Sequence, residues 1–355
     1  MRRLIPAVIA LSIAGAPASV SIAQDGQSGN SAANNALVNE MTPELNAAVD
    51  NGLAWLASRQ QPDGSFLGGR FGKNVAIASV AALAFMADGH LPGRGEYGDV
   101  VERALDFVLS ASAENGLIAA EAAHGPMYGH GFATLFLGEI EGMTRGGPDA
   151  RRADRLHEAL IKAVRLIERT QNEEGGWRYN PVPYDADVSV TICQVMALRS
   201  ARNAGLDVDS GVIDRAVEYV KRCQNADGGF RYQGDSGSSA WPRSAAGVSA
   251  LFYAGIYEGD TIDRGLDYLE RVALPGSARP SRAHYFYGQY YGVQAFFLAG
   301  GDRWATWWPA VRTELLTTQE PTGAWADSTV GSEYGTAMAL IVLQMPKRYL
   351  PIFQK

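Results

Sequence analysis

Cysteine is nearly absent: Cys193 and Cys223 are the only two in 355 residues. A disulfide-stapled fold is therefore excluded, and so is a cysteine-based zinc site. Cys193 is expected inside a buried helix and Cys223 at a helix end, as two unpaired thiols. The five histidines form no ligand pair on one helix, so no metal and no cofactor is expected. Basic residues are outnumbered, with 31 Lys+Arg against 38 Asp+Glu and a formal charge of −7. Such a chain gains nothing from phosphate attraction, so neither nucleic acid nor an anionic lipid surface is an expected partner. No apolar run is long and uninterrupted enough to span a bilayer. Glycine-rich turns such as Thr144-Arg-Gly-Gly-Pro148 lack the Lys-Ser/Thr that would cradle a phosphate.

What is present begins with a processing signal. Met1-Arg2-Arg3 is basic, Leu4 to Ala16 is mostly apolar, and Ser21-Ile22-Ala23 is a small-x-small cleavage site. Residues 1–23 read as a secretory signal peptide, which predicts an exported, periplasmic or extracellular protein. Its removal takes away two Arg, so the formal charge goes from −7 to −9. Residues 24–42 read as a flexible leader, Gly, Ser, Asn and Ala rich up to Asn39. Residues 43–355 read as one repeat domain.

The repeat is the strongest signal. Gln60-Gln-Pro-Asp-Gly-Ser-Phe66, Gln171-Asn-Glu-Glu-Gly-Gly-Trp177, Gln224-Asn-Ala-Asp-Gly-Gly-Phe230 and Gln319-Glu-Pro-Thr-Gly-Ala-Trp325 share one rule. It is Gln, three residues, Gly, a small residue, an aromatic. Glu114-Asn-Gly-Leu117 is a degenerate copy. The glycine spacings are 52, 59, 53 and then 95 positions, the last leaving room for a unit with a replaced turn, which makes six units. Before each turn runs an amphipathic helix, as with Leu156, Leu160, Ala163, Val164 and Ile167 on one face. After it runs a helix apolar nearly all round: Val75 to Ala87 carries one polar residue, Ser79. Striped helices belong outside and oily helices inside. The expected fold is all-α, an (α/α)6 toroid of six hairpins with inner and outer helix rings. The glycine stops a helix in a left-handed conformation, the aromatic packs between units, and the Gln amide is expected to bond free carbonyls at the end of its own helix.

The Gln-x-x-x-Gly-x-Trp pattern resembles the QW repeat of squalene and oxidosqualene cyclases and, loosely, of protein prenyltransferase β subunits. The resemblance covers Asn46 to about Gln344. It implies an active cavity inside the ring, near the starts of the inner helices. There, Asp185-Ala-Asp187-Val188 is similar to the Asp-x-Asp-Asp motif with which squalene cyclases protonate an alkene. Asp187 stands at the proton donor, Asp185 at the first Asp, and Val188 where the last Asp would be. Two nearby carboxyls in an apolar cavity would raise one pKa. The alternative is that Asp187 caps its helix. The Asp-x-Cys pair that binds zinc in protein prenyltransferases has no counterpart here.

Other candidates stand at the starts of the remaining inner helices: His124, Tyr128 and His130; Trp241 and Arg243; His284, Tyr287 and Tyr291; Glu333 and Tyr334. Aromatic faces can hold an apolar ligand or shield a cation. The functional expectation is an exported toroid that binds, and in its sharpest form transforms, an apolar isoprenoid-like molecule. Two alternatives stay open. One is a non-catalytic scaffold for a protein or glycan partner. The other is a polysaccharide-active barrel using Asp187 and Glu333 as paired carboxylates.

Overall fold

The computed structural model describes residues 40–120, 125–144, 149–234, 236–276 and 283–354. The expected signal peptide and nearly all of the leader lie outside the described residues, as does His124. Residues 41–355 form one compact unit. Among the described residues there are twelve α-helices and no strand longer than an isolated bridge. In chain order they are α1 (Pro43–Ser58), α2 (Val75–Ala87), α3 (Gly98–Ser110), α4 (Pro126–Thr144), α5 (Ala150–Thr170), α6 (Val188–Asn203), α7 (Ser210–Arg222), α8 (Trp241–Tyr253), α9 (Asp260–Ala273), α10 (Tyr285–Ala299), α11 (Gly301–Thr318) and α12 (Ser332–Leu343).

The polarity pattern sorts them into two rings. Every residue of α2 except Ala76 is buried, Ser79 included. In α5, by contrast, the buried residues are the predicted stripe, Leu156, Leu160, Ala163, Val164 and Ile167, with Leu166 and Thr170. The even-numbered helices pack side by side, α2 on α4, α4 on α6, α6 on α8, α8 on α10 and α10 on α12, and α12 returns to α2. The ring is closed.

The turn motif closes it, though not in the way expected from sequence. The Gln171 amide nitrogen donates to Gly175 O at 2.8 Å and to Val212 O at 2.8 Å. Val212 belongs to α7, so the glutamine joins its own turn to the outer helix of the following unit rather than capping its own helix. Gln60 reaches Val100 and Gln224 reaches Thr261 in the same manner. Gln319 reaches Ala48 O of α1 at 2.8 Å, which links the last unit to the first. In three copies an arginine of the following outer helix, Arg103, Arg215 or Arg264, donates back to the glutamine oxygen.

Glycine is needed at the hinge of this staple for two reasons. Gly175 has φ +98°, and a Cβ there would lie 2.2 Å from the Arg215 carbonyl oxygen. The backbone is left-handed and pressed against the next helix at once. The indole of Trp177 then donates to Ile167 O at 2.8 Å, and its backbone N–H is taken by Thr191 Oγ1 at 3.2 Å. Phe230 and Trp325 repeat the second bond with Ser244 and Thr336. Both cysteines are buried and free.

The inner helices all start at one mouth of the ring. The other mouth is sealed by the chain end, where Met345, Leu350, Ile352 and Phe353 are buried and residues 351–353 pack on α6. Glu139 of α4 fixes this seal. Its carboxylate accepts from Ser200 Oγ at 2.6 Å and from Ile352 N at 3.0 Å.

Gly175→Ala and Gly205→Ala should separate strain from collision. Both positions have strongly positive φ, but a Cβ at Gly205 would meet nothing within 4 Å. Urea unfolding should show a loss of about 1–2 kcal/mol for Gly205→Ala, the usual left-handed penalty, and a clearly larger loss for Gly175→Ala. Equal losses would mean that the unit-to-unit contact at the motif glycine contributes nothing.

Candidate functional site

At the open mouth lies a cavity with two lobes. The larger is about 850 Å3 and includes Tyr128, Ser189, Tyr232, Trp241, Arg243, Tyr268, His284 and Tyr287 in its wall. The smaller is about 330 Å3 and is lined mainly by Arg70, Phe71, Val75, Ile77, Phe132, Val330 and Tyr334 with neighbours. Tyr128, Tyr179, His284 and Tyr287 border both, so the lobes are continuous. All six inner helices contribute residues from their first turns or N-caps.

Asp187 sits at the start of α6 and caps it. Its Oδ1 accepts from Val190 N at 2.9 Å. Its Oδ2 accepts from Tyr232 Oη at 3.1 Å and lies 3.8 Å from Arg178 Nε. The residue has no exposed surface and lines neither lobe; Tyr232 stands between it and the cavity. Burial pushes its carboxyl up to about 6, against the opposing pull of the Val190 N–H, Tyr232 and Arg178. The raised pKa thus comes from desolvation, not from repulsion by Asp185 as the sequence suggested. Asp185 is neutralised by an ion pair with Arg178 and is partly exposed. The capping role is thus formed, and burial raises the pKa of the same side chain.

Arg178 organises this corner. It pairs with Asp185 and spreads over the rings of Tyr179 and Tyr232, 5.1 and 5.8 Å from their centroids. The Tyr179 and Tyr232 hydroxyls are hydrogen-bonded to each other. Burial raises Tyr232 above the ordinary phenol range, with the Asp187 charge adding to it. Tyr287 donates to Ser189 O at 3.2 Å, which orients its ring along the boundary of the two lobes. Arg243 donates through Nε to Phe230 O at 3.1 Å and through Nη2 to Ser238 O at 2.6 Å. His284 caps α10 in a left-handed conformation, φ +56°.

Of the residues expected in the cavity, Tyr128, Trp241, Arg243, His284, Tyr287 and Tyr334 line it. Three do not. His130 is buried, with Ile118 N donating to its Nδ1 at 3.2 Å and its Nε2 3.3 Å from Ala163 O. It replaces Thr191 and Ser244 as the side chain that ties down the turn, in the unit whose motif is degenerate. Desolvation lowers it to about 4, so it stays neutral. Tyr291 is fully buried below Tyr287, ring centroids 4.8 Å apart, with its hydroxyl 3.4 Å from Cys193 Sγ. Glu333 turns away to outer helix α1, where Arg59 Nε donates to it at 3.1 Å. With Glu333 tied there and Asp187 covered, the paired-carboxylate arrangement of a glycosidase is not formed.

Tyr179, Tyr232 and Arg178 were missed, although a signal existed. Trp177-Arg178-Tyr179 and Phe230-Arg231-Tyr232 repeat an aromatic-Arg-Tyr tail after two of the turns. No group of three or more His, Cys, Asp or Glu residues able to hold a metal ion occurs among the described residues.

Known proteins with similar sequence or structure point one way for the fold. Drimenyl diphosphate synthase from Streptomyces showdoensis is 27% identical over 188 residues, which is 53% of this chain and 33% of that protein. The matched stretch of the chain thus spans about a third of that relative's length. The type II terpene cyclase MstE from Scytonema superimposes with TM-score 0.60 at 14% identity, covering 87% of this chain and 100% of that one. An inactive variant of an α-1,6-mannanase of Salegentibacter sp., in complex with α-1,6-mannotriose, gives TM-score 0.64 at 8% identity, covering 84% of this chain and 98% of that one. At such identities these two structures share the architecture alone. The prenyltransferase alpha-alpha toroid domain matches residues 32–269, more than half of the chain, and the chain belongs to that family.

Proposed function

We propose that this toroid binds an apolar, isoprenoid-like molecule in its central cavity. The observation that carries the reading is the wall itself. Tyr128, Trp241, Tyr287, Phe71, Phe132 and Tyr334 present ring surfaces to a space of about 850 Å3 joined to one of about 330 Å3. Such a concave aromatic wall, predominantly apolar in the smaller lobe and edged with hydroxyls, His284 and Arg243 in the larger, suits a hydrocarbon chain. A structure of MstE holds geranylgeranyl dihydroxybenzoate as substrate, which supports the same class of ligand here. Export after cleavage at Ala23 is part of the proposal and rests on the sequence of residues 1–23.

A catalytic form of the reading is favoured by one feature, the buried Asp187 with its raised pKa. Tyr232, which bonds Asp187 and lines the larger lobe, would connect that carboxyl's proton to the cavity. Asp187 would give a proton to the Tyr232 oxygen as the phenolic proton passes to an alkene carbon of the ligand. The carboxylate left behind would be held by Arg178 and by the Val190 N–H.

Incubating the purified protein with a lipid extract, then analysing it by native mass spectrometry, tests the binding reading. An isoprenoid-like species should co-purify with the wild type and be lost from Ala76→Phe, which fills the smaller lobe. Retention of an oligosaccharide, or of nothing, would contradict it.

The acid has its own test. The folded pKa of Asp187 lies above the ordinary value of 3.8, at about 6. Between those two pH values the folded chain holds a proton that the unfolded chain has lost, so stability falls as pH rises. Asp187→Asn keeps a capping oxygen but removes the titration. Wild-type stability minus variant stability should therefore fall by roughly 1–3 kcal/mol across that window, read by urea unfolding at a series of pH values. A flat difference would show an ordinary carboxylate and remove the acid from consideration.

A further inference from the structure

The cavity has a polarity of its own, distinct from that of the chain. Among the described residues lining the two lobes there are two arginines, Arg70 and Arg243, one histidine, and no Asp or Glu, although acidic residues outnumber basic ones, 38 to 31, in the whole sequence. Two carboxylates stand one side chain behind the wall: Asp187, covered by Tyr232 and facing Arg178, and Asp227, which accepts from Ser239 Oγ at 2.7 Å.

Arg243 is the one arginine in the wall of the larger lobe, half-buried there, whereas Arg70 in the smaller lobe is exposed. Arg243 has no carboxylate partner among the described residues. Two of its nitrogens are spent on the carbonyls of Phe230 and Ser238, which fixes the guanidinium in place. Nη1 makes no hydrogen bond among the described residues. Burial without a counter-ion lowers its pKa from the ordinary value, so an anion arriving there would relieve an uncompensated charge. The inner helices also point their N-termini at this space, and their dipoles favour negative charge. The smaller lobe differs. Apart from Arg70 its wall is dominated by Phe71, Val75, Ile77, Phe132 and Val330.

We infer that the ligand is an amphiphile with a carboxylate head, the head at Arg243 in the larger lobe and the hydrocarbon chain running past Tyr287 into the smaller one. This deepens the proposed function and rests on it. A carboxylate matches one guanidinium in charge and can take a charge-assisted bond from Nη1. A diphosphate carries more charge than this one guanidinium answers.

The test uses the intrinsic fluorescence of the full chain, titrated with farnesoic acid, farnesol and farnesyl diphosphate at neutral pH and low salt. Binding of the alcohol reports on the apolar cavity. The acid should bind more tightly than the alcohol by about tenfold, equivalent to about 1.4 kcal/mol, and added salt should narrow the gap. Arg243→Gln should abolish the preference while leaving alcohol binding in place. Arg243→Lys, which keeps the charge, should retain part of it, and covers the case in which the glutamine variant does not fold. Arg70→Gln should leave the preference intact. Equal affinity for acid and alcohol, a diphosphate bound more tightly than the acid, or loss of the preference in Arg70→Gln but not in the Arg243 variants would each overturn the carboxylate assignment while the apolar reading stands. Failure of all three ligands to bind would bring down both.

Discussion

A glutamine amide that reaches out of its own turn to the outer helix of the next unit is the contact on which this architecture rests. Each such amide is held between two carbonyls, one of its own glycine and one of its neighbour. The bonds are individually modest, on the order of 1 kcal/mol each, but they are directional. They set the rotation from one hairpin to the next, and in the last copy that rotation brings Gln319 to Ala48. An open array of helix pairs would leave its end units with an uncovered apolar face. Closure removes both ends and allows the inner helices to be oily on all sides.

The same geometry makes the cavity. Because every inner helix follows its turn in the same sense, all six begin at one mouth, and their first-turn residues converge there. The far mouth is filled by the chain end and anchored by Glu139, whose carboxyl is pushed up to about 7 by burial. One mouth is left open, rimmed by tyrosines and arginines. Asp187 shows how burial and bonding compete at that rim. Desolvation favours its neutral form; the helix N-terminus, Tyr232 and Arg178 favour the charged one. The outcome is a carboxyl pushed up to about 6 and covered by the Tyr232 phenol.

The ring was legible in the sequence because it depends on local rules repeated many times. Gln-x-x-x-Gly with an aromatic, and the contrast between the stripe of Leu156 to Ile167 and the uninterrupted apolar run of Val75 to Ala87, survive in primary structure. The site was legible only in part. Tyr128, Trp241, Arg243, His284, Tyr287 and Tyr334 could be placed by their position at helix starts. His130 could not, because its role is set by the loss of the motif elsewhere: Ile118 N needs a partner, and no short side chain is available at that position. Glu333 is decided by Arg59, 274 residues away, which no local pattern reveals. Tyr232 acts on Asp187 across units, from the following turn, and Arg178 from Asp187's own turn; only their shared aromatic-Arg-Tyr tail hinted at it.

Closure of the ring is the claim from which the cavity and its chemistry follow, and hydrogen exchange on Gln319→Ala tests it most directly. The account predicts faster exchange both around the turn at residues 319–325 and in α1 at the far end of the chain, since each loses the partner that holds it. Faster exchange confined to the mutated turn, with α1 as protected as in the wild type, would contradict it.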